Sequence, residues 1–350
     1  MKHSSICTRS IVAAVALSLA AIAAPNASAQ TTATTVPVGF LTATIPAAPS
    51  LTTPASAVVS IPLYQTAVFQ STVATVGPAT TKFTISGAAF GNLTTVPHLV
   101  RVKTSVTPSH VGRFFLITAN TATELTVALP FGMGNVSAAV SLGDSCEVVP
   151  ANTFGNVFQA VLPQIKKSGD PDEADNFLLW NGVTWNTYYY DSDQGFWASA
   201  SVFGSQNNTV ILPDEGLFIV HKLTAAIPLV LMGTVPSTAE QSDLPGGTPA
   251  APGQNFVSNR FPVNTTFGTM ALQNLPGWVR SGDPDEADNA LLWNGTTWNT
   301  YYYDSDQGFW ASASVFGSQN NTPIPTAGAL FVIRKGGVQQ ASVQALPYAL

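Results

Sequence analysis

The chain has 350 residues, only 9% of them charged, with 19 acids against 13 bases. A negative balance without basic clusters excludes nucleic-acid binding, which needs Lys and Arg against phosphate. Low charge together with regular Val, Ile, Phe and Trp runs excludes intrinsic disorder and points to packed β-structure.

The first 29 residues read as a cleaved export signal. Lys2 and Arg9 give the positive start, Ile11 to Ala24 the apolar run, and Ala27-Ser28-Ala29 the small-residue cleavage pattern. The mature chain is expected to begin near Gln30, with a net charge of -8 once those two bases are gone. It is expected outside the cytoplasm or in the envelope, with no later stretch reaching the ~20 apolar residues of a spanning helix. Cys146 is the one cysteine after the signal, so no intrachain disulfide is available and a small buried side chain is expected there.

From residue 30 to 148, strand-forming runs fall at Gly39 to Ile45, Val58 to Tyr64, Ala67 to Val76, Lys82 to Ile85, Leu99 to Thr104, Phe114 to Thr118 and Glu124 to Leu129. Their spacing predicts an N-terminal β-sandwich or barrel-like domain. Beyond it the chain repeats at an offset of 113. Ser168 to Thr209 recurs as Ser281 to Thr322 with two differences, Phe177 against Ala290 and Val183 against Thr296. Thr153-Phe154-Gly155, Leu162-Pro163, Leu217-Phe218 and Lys222 recur as well, which predicts two homologous β-sandwich-like modules, 149–237 and 262–350. Residues 238–261, rich in Pro, Gly and Thr, read as a linker. The fold class is therefore all-β. Recent copying and a requirement shared by two sites explain the near-identity equally well.

The duplicated block concentrates the chain's polar chemistry, for each copy holds six acids, three Trp and three Tyr but no Lys, Arg or His. Asn181-Gly182 predicts a two-residue hairpin turn that sets Trp180 opposite Val183, Leu178 opposite Trp185 and Asp172 opposite Asp191. Asp170, Asp172, Asp175, Asp191 and Asp193 would then gather at the hairpin's open end. In the second copy Asp283, Asp285, Asp288, Asp304 and Asp306 would do the same. Crowded carboxylates repel, and Ca²⁺ is the cation that such an oxygen set suits. The competing reading is that Asp170-Pro171-Asp172-Glu173 starts a helix and Asp191 to Gly195 is a solvated turn.

The aromatics divide between two strand faces. Trp185, Tyr188 and Tyr190, with Trp298, Tyr301 and Tyr303, are candidate sugar-stacking residues where exposed and core or interface residues where not. No nucleophile elbow, zinc motif or phosphate loop is present, and His98, His110 and His221 lack ligand spacing. A carboxylate pair for glycoside hydrolysis has only the turn acids to draw on.

The stretches 37–40 (PVGF), 59–63 (VSIPL), 112–120 (GRFFLITAN), 143–150 (GDSCEVVP), 153–158 (TFGNVF), the Tyr188–Tyr190 strand after WNG, 255–259 (NFVSN) and Phe261-Pro262 resemble a family of exported, functionally uncharacterised β-rich bacterial proteins. That resemblance implies an exported β-rich fold and carries no activity. The near-exact block and the end at Leu350 without a sorting tail depart from it. The reading reached is a non-enzymatic secreted or cell-surface structural or adhesion-type protein, with calcium stabilisation as an accompanying expectation. Its alternative is a carbohydrate-binding protein, so the partner expected is a polysaccharide or another envelope component.

Overall fold

The computed structural model describes residues 37–78, 80–130 and 132–349; the expected export signal lies outside them. The strands follow the β-branched runs closely, and the protein is all-β with antiparallel sheets throughout. No helix among the described residues is long and apolar enough to cross a membrane.

Six strands close into a barrel in the order Phe69–Val76, Lys82–Ile85, Glu124–Val127, Phe114–Asn120, His98–Thr104 and Ser145–Pro150. Alternate residues (Val73, Phe83, Val100, Val102, Phe115, Ile117, Leu125 and Val148) point inward and fill it. Cys146 lies in the same core at 1% exposure, as expected of a lone thiol. Closure leaves the barrel no free edge for association.

The first two strands do not belong to this barrel. Ala55–Ser60 joins the edge of a five-stranded sheet ordered Phe196–Ser199, Trp185–Asp191, Asn176–Trp180, Gly216–His221, Ala55–Ser60. Val38–Ile45 pairs with Ile227–Thr234 as a ribbon, and its Leu41 and Ile45 pack with Leu229 and Leu231 over that sheet's Phe177, Leu179, Leu217 and Ile219. The stretch expected as a linker supplies the same two parts to the second module. Glu240–Leu244 pairs with Gln340–Gln344, and Gly253–Ser258 edges a sheet of Ala329–Arg334, Asn289–Trp293, Trp298–Asp304 and Phe309–Ser312. Ser60 pairs with Gly216, and Ser258 pairs with Ala329, its counterpart 113 residues on. The modules are therefore the same fold, and in the first of them the barrel interrupts the chain after its second strand. Local spacing could not reveal this, because strands 55–60 and 253–258 share few residues.

Several recurring motifs have local causes. Thr153 and Thr266 each cap a four-residue helix with a reciprocal box, to Asn156 and Thr269. The Phe that follows is fully buried, and the Gly N–H donates to the Asn207 or Asn320 carbonyl at 2.9 Å in each copy. The substitution Phe177 against Ala290 is compensated outside the block. In the first module Phe177 packs edge-on to Trp197 at 4.9 Å, and in the second Trp278 approaches the equivalent Trp310 at 5.8 Å.

The two modules meet through one face of each sheet. Trp180 packs on Phe331 at 5.1 Å, and Trp293 packs on Phe218 at 5.1 Å. The Trp180 indole donates to the Gln254 carbonyl (3.1 Å), and the Trp293 indole to the Ser56 carbonyl (3.3 Å). Trp185 and Trp298 complete a shared aromatic layer with Phe256. The Trp–Phe pairs and indole bonds each have a counterpart, as in a two-fold interface, here formed within one chain, while Phe256 stands where the first module has Val58. Gly216 belongs to this seam, where a Cβ would stand 2.6 Å from the Ala329 methyl.

The barrel docks on the second module through polar contacts. Arg101, 1% exposed, bonds Glu147 at 2.8 Å and also bonds Glu240, whose other oxygen accepts from the Tyr64 hydroxyl at 2.6 Å. Burial opposes the guanidinium's charge, but Glu240 and Glu147 outweigh it and hold the Arg101 pKa above its ordinary value. Arg113 clasps Asp243 with two bonds of 2.9 and 3.0 Å, and the Gln241 amide donates to the carbonyls of Ser109 and Val111.

Candidate functional site

The hairpin of the duplicated block turns later than the Asn-Gly signal implies. Trp180 pairs with Trp185, Leu178 with Thr187 and Phe177 with Tyr188, so the loop is four residues, 181–184. The Asn181 carboxamide oxygen accepts from the N–H groups of Val183 (3.0 Å) and Thr184 (2.8 Å), and Gly182 takes the positive φ of 95°. A side-chain-closed turn thus replaces the expected two-residue one. The shift is by two residues, so each side chain keeps its face while changing its partner.

The acidic loops do lie side by side, but their carboxylates do not form one cluster. Ser168 N–H donates to the Tyr190 carbonyl, and Gly169 passes directly beneath the Asp193 carboxylate. Asp170 accepts from the Asp172 N–H at 2.8 Å, and Asp191 accepts from the N–H groups of Asp193 (2.8 Å) and Gln194 (3.1 Å). These are local turns. Glu173 and Ala174 both bond back to the Asp170 carbonyl, which makes one helical turn that does not continue. In the second copy Asp283 accepts from Asp285, and Asp304 from Asp306 and Gln307. Desolvation pushes the Asp304 carboxyl up, but the Gln307 side-chain amide together with those N–H groups outweighs it and holds the carboxyl below its usual range.

Asp175 departs from the group altogether, being 1% exposed on the far side of its loop. It bonds His221 Nδ1 at 2.7 Å and the N–H groups of Lys166 and Lys222 at 3.0 and 2.7 Å. Asp288 does the same for Val279 and Lys335, with Arg334 standing where His221 stands. Burial raises the Asp288 pKa against the pull of those N–H groups. Among the described residues, no set of three or more His, Cys, Asp or Glu side chains is grouped so as to hold a metal ion. A cation does sit on each loop, supplied by the chain itself. Lys222 Nζ lies 2.8 Å from the Asp172 carbonyl and 3.3 Å from Asn176 Oδ1, and Lys335 Nζ lies 2.9 and 3.1 Å from their counterparts Asp285 and Asn289.

The six candidate stacking residues do not share an exposed face. Trp185 and Trp298 lie in the seam between the modules, and Tyr188 and Tyr301 are buried in the two module cores. Tyr190 and Tyr303 are half-buried against Trp197 and Trp310, and their hydroxyls donate to the carbonyls of Gly195 and Gly308 at 2.8 Å. The Trp pair is taken up by the seam, where two sheets bury their aromatic faces against each other, and the four Tyr, on the opposite strand face, by the module cores.

Two features that strand periodicity does not select stand out instead. Phe203 and Phe316, equivalent residues of the block, are fully exposed at the tips of identical loops, beside the exposed Val202 and Val315. The loops are held alike. Gln206 and Gln319 donate their N–H to the Trp197 and Trp310 carbonyls (2.6 Å each), and their amides donate to the Gly204 and Gly317 carbonyls (3.2 Å each). Val-Phe-Gly set among Ser, Asn and Gln is the sequence signal for such a tip.

The second feature is a crevice of about 370 Å³ where the barrel meets both modules. Its walls include Phe114, Trp180 and Phe256, with Asp214, Glu215, Arg113 and Asp243. Leu116, Leu212 and Glu215 also line an adjoining, more open hollow against the barrel. Burial pushes Glu215 up to about 8, aided by the neighbouring Asp214 charge. Burial likewise pushes Asp214 up to about 6, with Arg260 opposing it and Asp243 adding to it. The signal in the sequence is a break in the repeat, for Asp214-Glu215 corresponds to Ala327-Gly328. Comparison with protein-family models, curated proteins and solved structures gave no match.

Proposed function

We propose that this is a non-enzymatic structural or adhesion-type protein of the cell exterior, held rigid by the module seam and making contact through its two Phe-tipped loops. One observation carries the reading: of the block's aromatics, only Phe203 and its twin Phe316 face solvent fully. A Phe side chain left in water forgoes ~1.5–3 kcal/mol of burial, and nothing in either turn requires an aromatic there. Two identical tips multiply weak contacts by avidity.

The partner favoured by the loop chemistry is a polysaccharide. Residues 199–209 contain no charge, and Ser, Gln and Asn flank the Phe in sequence, so the exposed ring suits stacking on a sugar face. This moves the carbohydrate reading from the Trp and Tyr strands to the tips. The reading does not draw on calcium; the Lys222 and Lys335 ammoniums lie on the Asp172 and Asp285 carbonyls of the acidic loops. The test is co-sedimentation with insoluble cellulose, chitin and peptidoglycan. The wild type is expected to pellet with at least one, Phe203→Ser and Phe316→Ser each to weaken binding, and the double variant to abolish it without a change in melting temperature. Retained binding by a folded double variant, or no binding to any of the three, removes the proposal.

A further inference from the structure

The crevice between barrel and modules is built for a ligand independently of the loop tips. The turn does not depend on its acid pair: Glu215 Oε2 accepts from the Leu212 N–H at 3.2 Å, yet the corresponding turn of the second module, with Ala327-Gly328, forms in the same place without acids. A turn that tolerates Ala-Gly does not need two desolvated carboxyls, each costing stability.

Unpartnered atoms supply a second, independent observation. Gln241 Oε1 and Gln339 Oε1 are buried, have no hydrogen-bond partner among the described residues, and belong to side chains that line this same crevice. Gln241 is 3% exposed. The Gln241 orientation is settled by its NH₂ group, which donates to the Ser109 and Val111 carbonyls and so leaves the oxygen as the unmatched acceptor. A buried acceptor without a donor is costly, so two such atoms beside two carboxyls mark a place where a donor belongs.

The lining therefore offers acceptors: two amide oxygens and the Asp214 and Glu215 carboxyls. Arg113, the cation among the lining residues, is engaged by Asp243. The walls Phe114, Trp180 and Phe256 suit the stem and face of an organic cation, through apolar contact and cation–π attraction. The volume lies at the lower end of the ~300–1,000 Å³ range of small-molecule sites.

We propose that this crevice binds a small organic cation, a primary amine or guanidinium on an apolar stem, with Glu215 and Asp214 receiving its charge and Gln241 and Gln339 accepting its remaining donors. A bound ammonium satisfies the unpartnered oxygens and relieves the repulsion between adjacent carboxylates in one step.

The experiment is isothermal titration calorimetry of the full chain at pH 8 with phenethylammonium and with agmatine, using 2-phenylethanol as the neutral control. One-site binding of at least one cation is expected, with the alcohol weaker by at least roughly tenfold, the worth of one charge-assisted contact. Glu215→Gln and the paired change Asp214→Ala with Glu215→Gly are expected to lose about tenfold or more. The paired change copies the second module's own turn, so it keeps the fold. The Phe203→Ser/Phe316→Ser protein is expected to bind as the wild type does. No heat from either cation, equal binding of the alcohol, or unchanged affinity in both acid variants overturns the proposal.

Discussion

Replacing Phe331 with Ala tests whether the modules are one body. The ring is half-buried in the seam, 5.1 Å from Trp180 at 75° and 6.1 Å from Trp185. Removing ~100 Å² of apolar contact at ~25 cal/mol per Å² costs about 2.5 kcal/mol. The lost edge-to-face pair adds about 0.5–1 kcal/mol, giving about 3 kcal/mol, the low end of measured Phe→Ala costs. Phe218 holds the mirrored place, 5.1 Å from Trp293 and 6.0 Å from Trp298, so Phe218→Ala is expected to cost the same within about 1 kcal/mol. The two rings share Trp185 and Trp298 as neighbours, so the double variant should fall short of the sum by roughly 0.5–1 kcal/mol. Urea unfolding followed by tryptophan fluorescence reads this directly, because four of the Trp residues line the seam. A cost below about 1 kcal/mol for either single variant, or strict additivity, would falsify the picture of one continuous layer.

Two further outcomes follow from burial. In the folded protein Glu215 keeps its proton to about pH 8, whereas the unfolded chain releases it near the ordinary carboxylate value, ~4.3. Between those limits the native state binds more protons, so this group makes stability fall as pH rises. Glu215→Gln is therefore expected to gain on the wild type at pH 8 by about 2 kcal/mol, after discounting for solvent reaching the crevice, and not at pH 4.5. An equal difference at both pH values in urea titrations refutes it. Burial also pushes the Cys146 thiol up to about 12. The thiolate is the reactive form, so peptide mapping after iodoacetamide should find Cys146 unmodified in the native protein and alkylated in urea; rapid native labelling contradicts the barrel core described above.

Much of the architecture is legible from local pattern. β-branched runs mark the barrel strands within a few residues, since a half-buried pleat imposes alternation on each strand by itself. The constant offset of Thr153-Phe154-Gly155 and Lys222 marks two like modules, because each motif does local work: a cap, a core ring, a lysine on two carbonyls. The candidate sites were less legible. Asp175 and Asp172 look alike in sequence, yet Asp175 is drawn inward by His221 and the Lys166 and Lys222 amides while Asp172 stays in solvent. Trp185 reads as a core or interface residue before it reads as a platform, and which surface covers it depends on Phe331 and Phe256, which lie far along the chain.

Amino-acid order alone determined that the chain is all-β, that it is duplicated, that Cys146 is buried, and where polar and aromatic chemistry concentrates. Those properties follow from side-chain alternation, turn residues and repetition, all of which act over short distances. Tertiary structure decided the rest: that strands 38–45 and 55–60 leave the barrel for a module, that the supposed linker builds the other module, that the aromatic faces close on each other, and that Asp214 and Glu215 line a crevice. Each depends on which distant surfaces lose water together, and that is set by the packing of the whole chain.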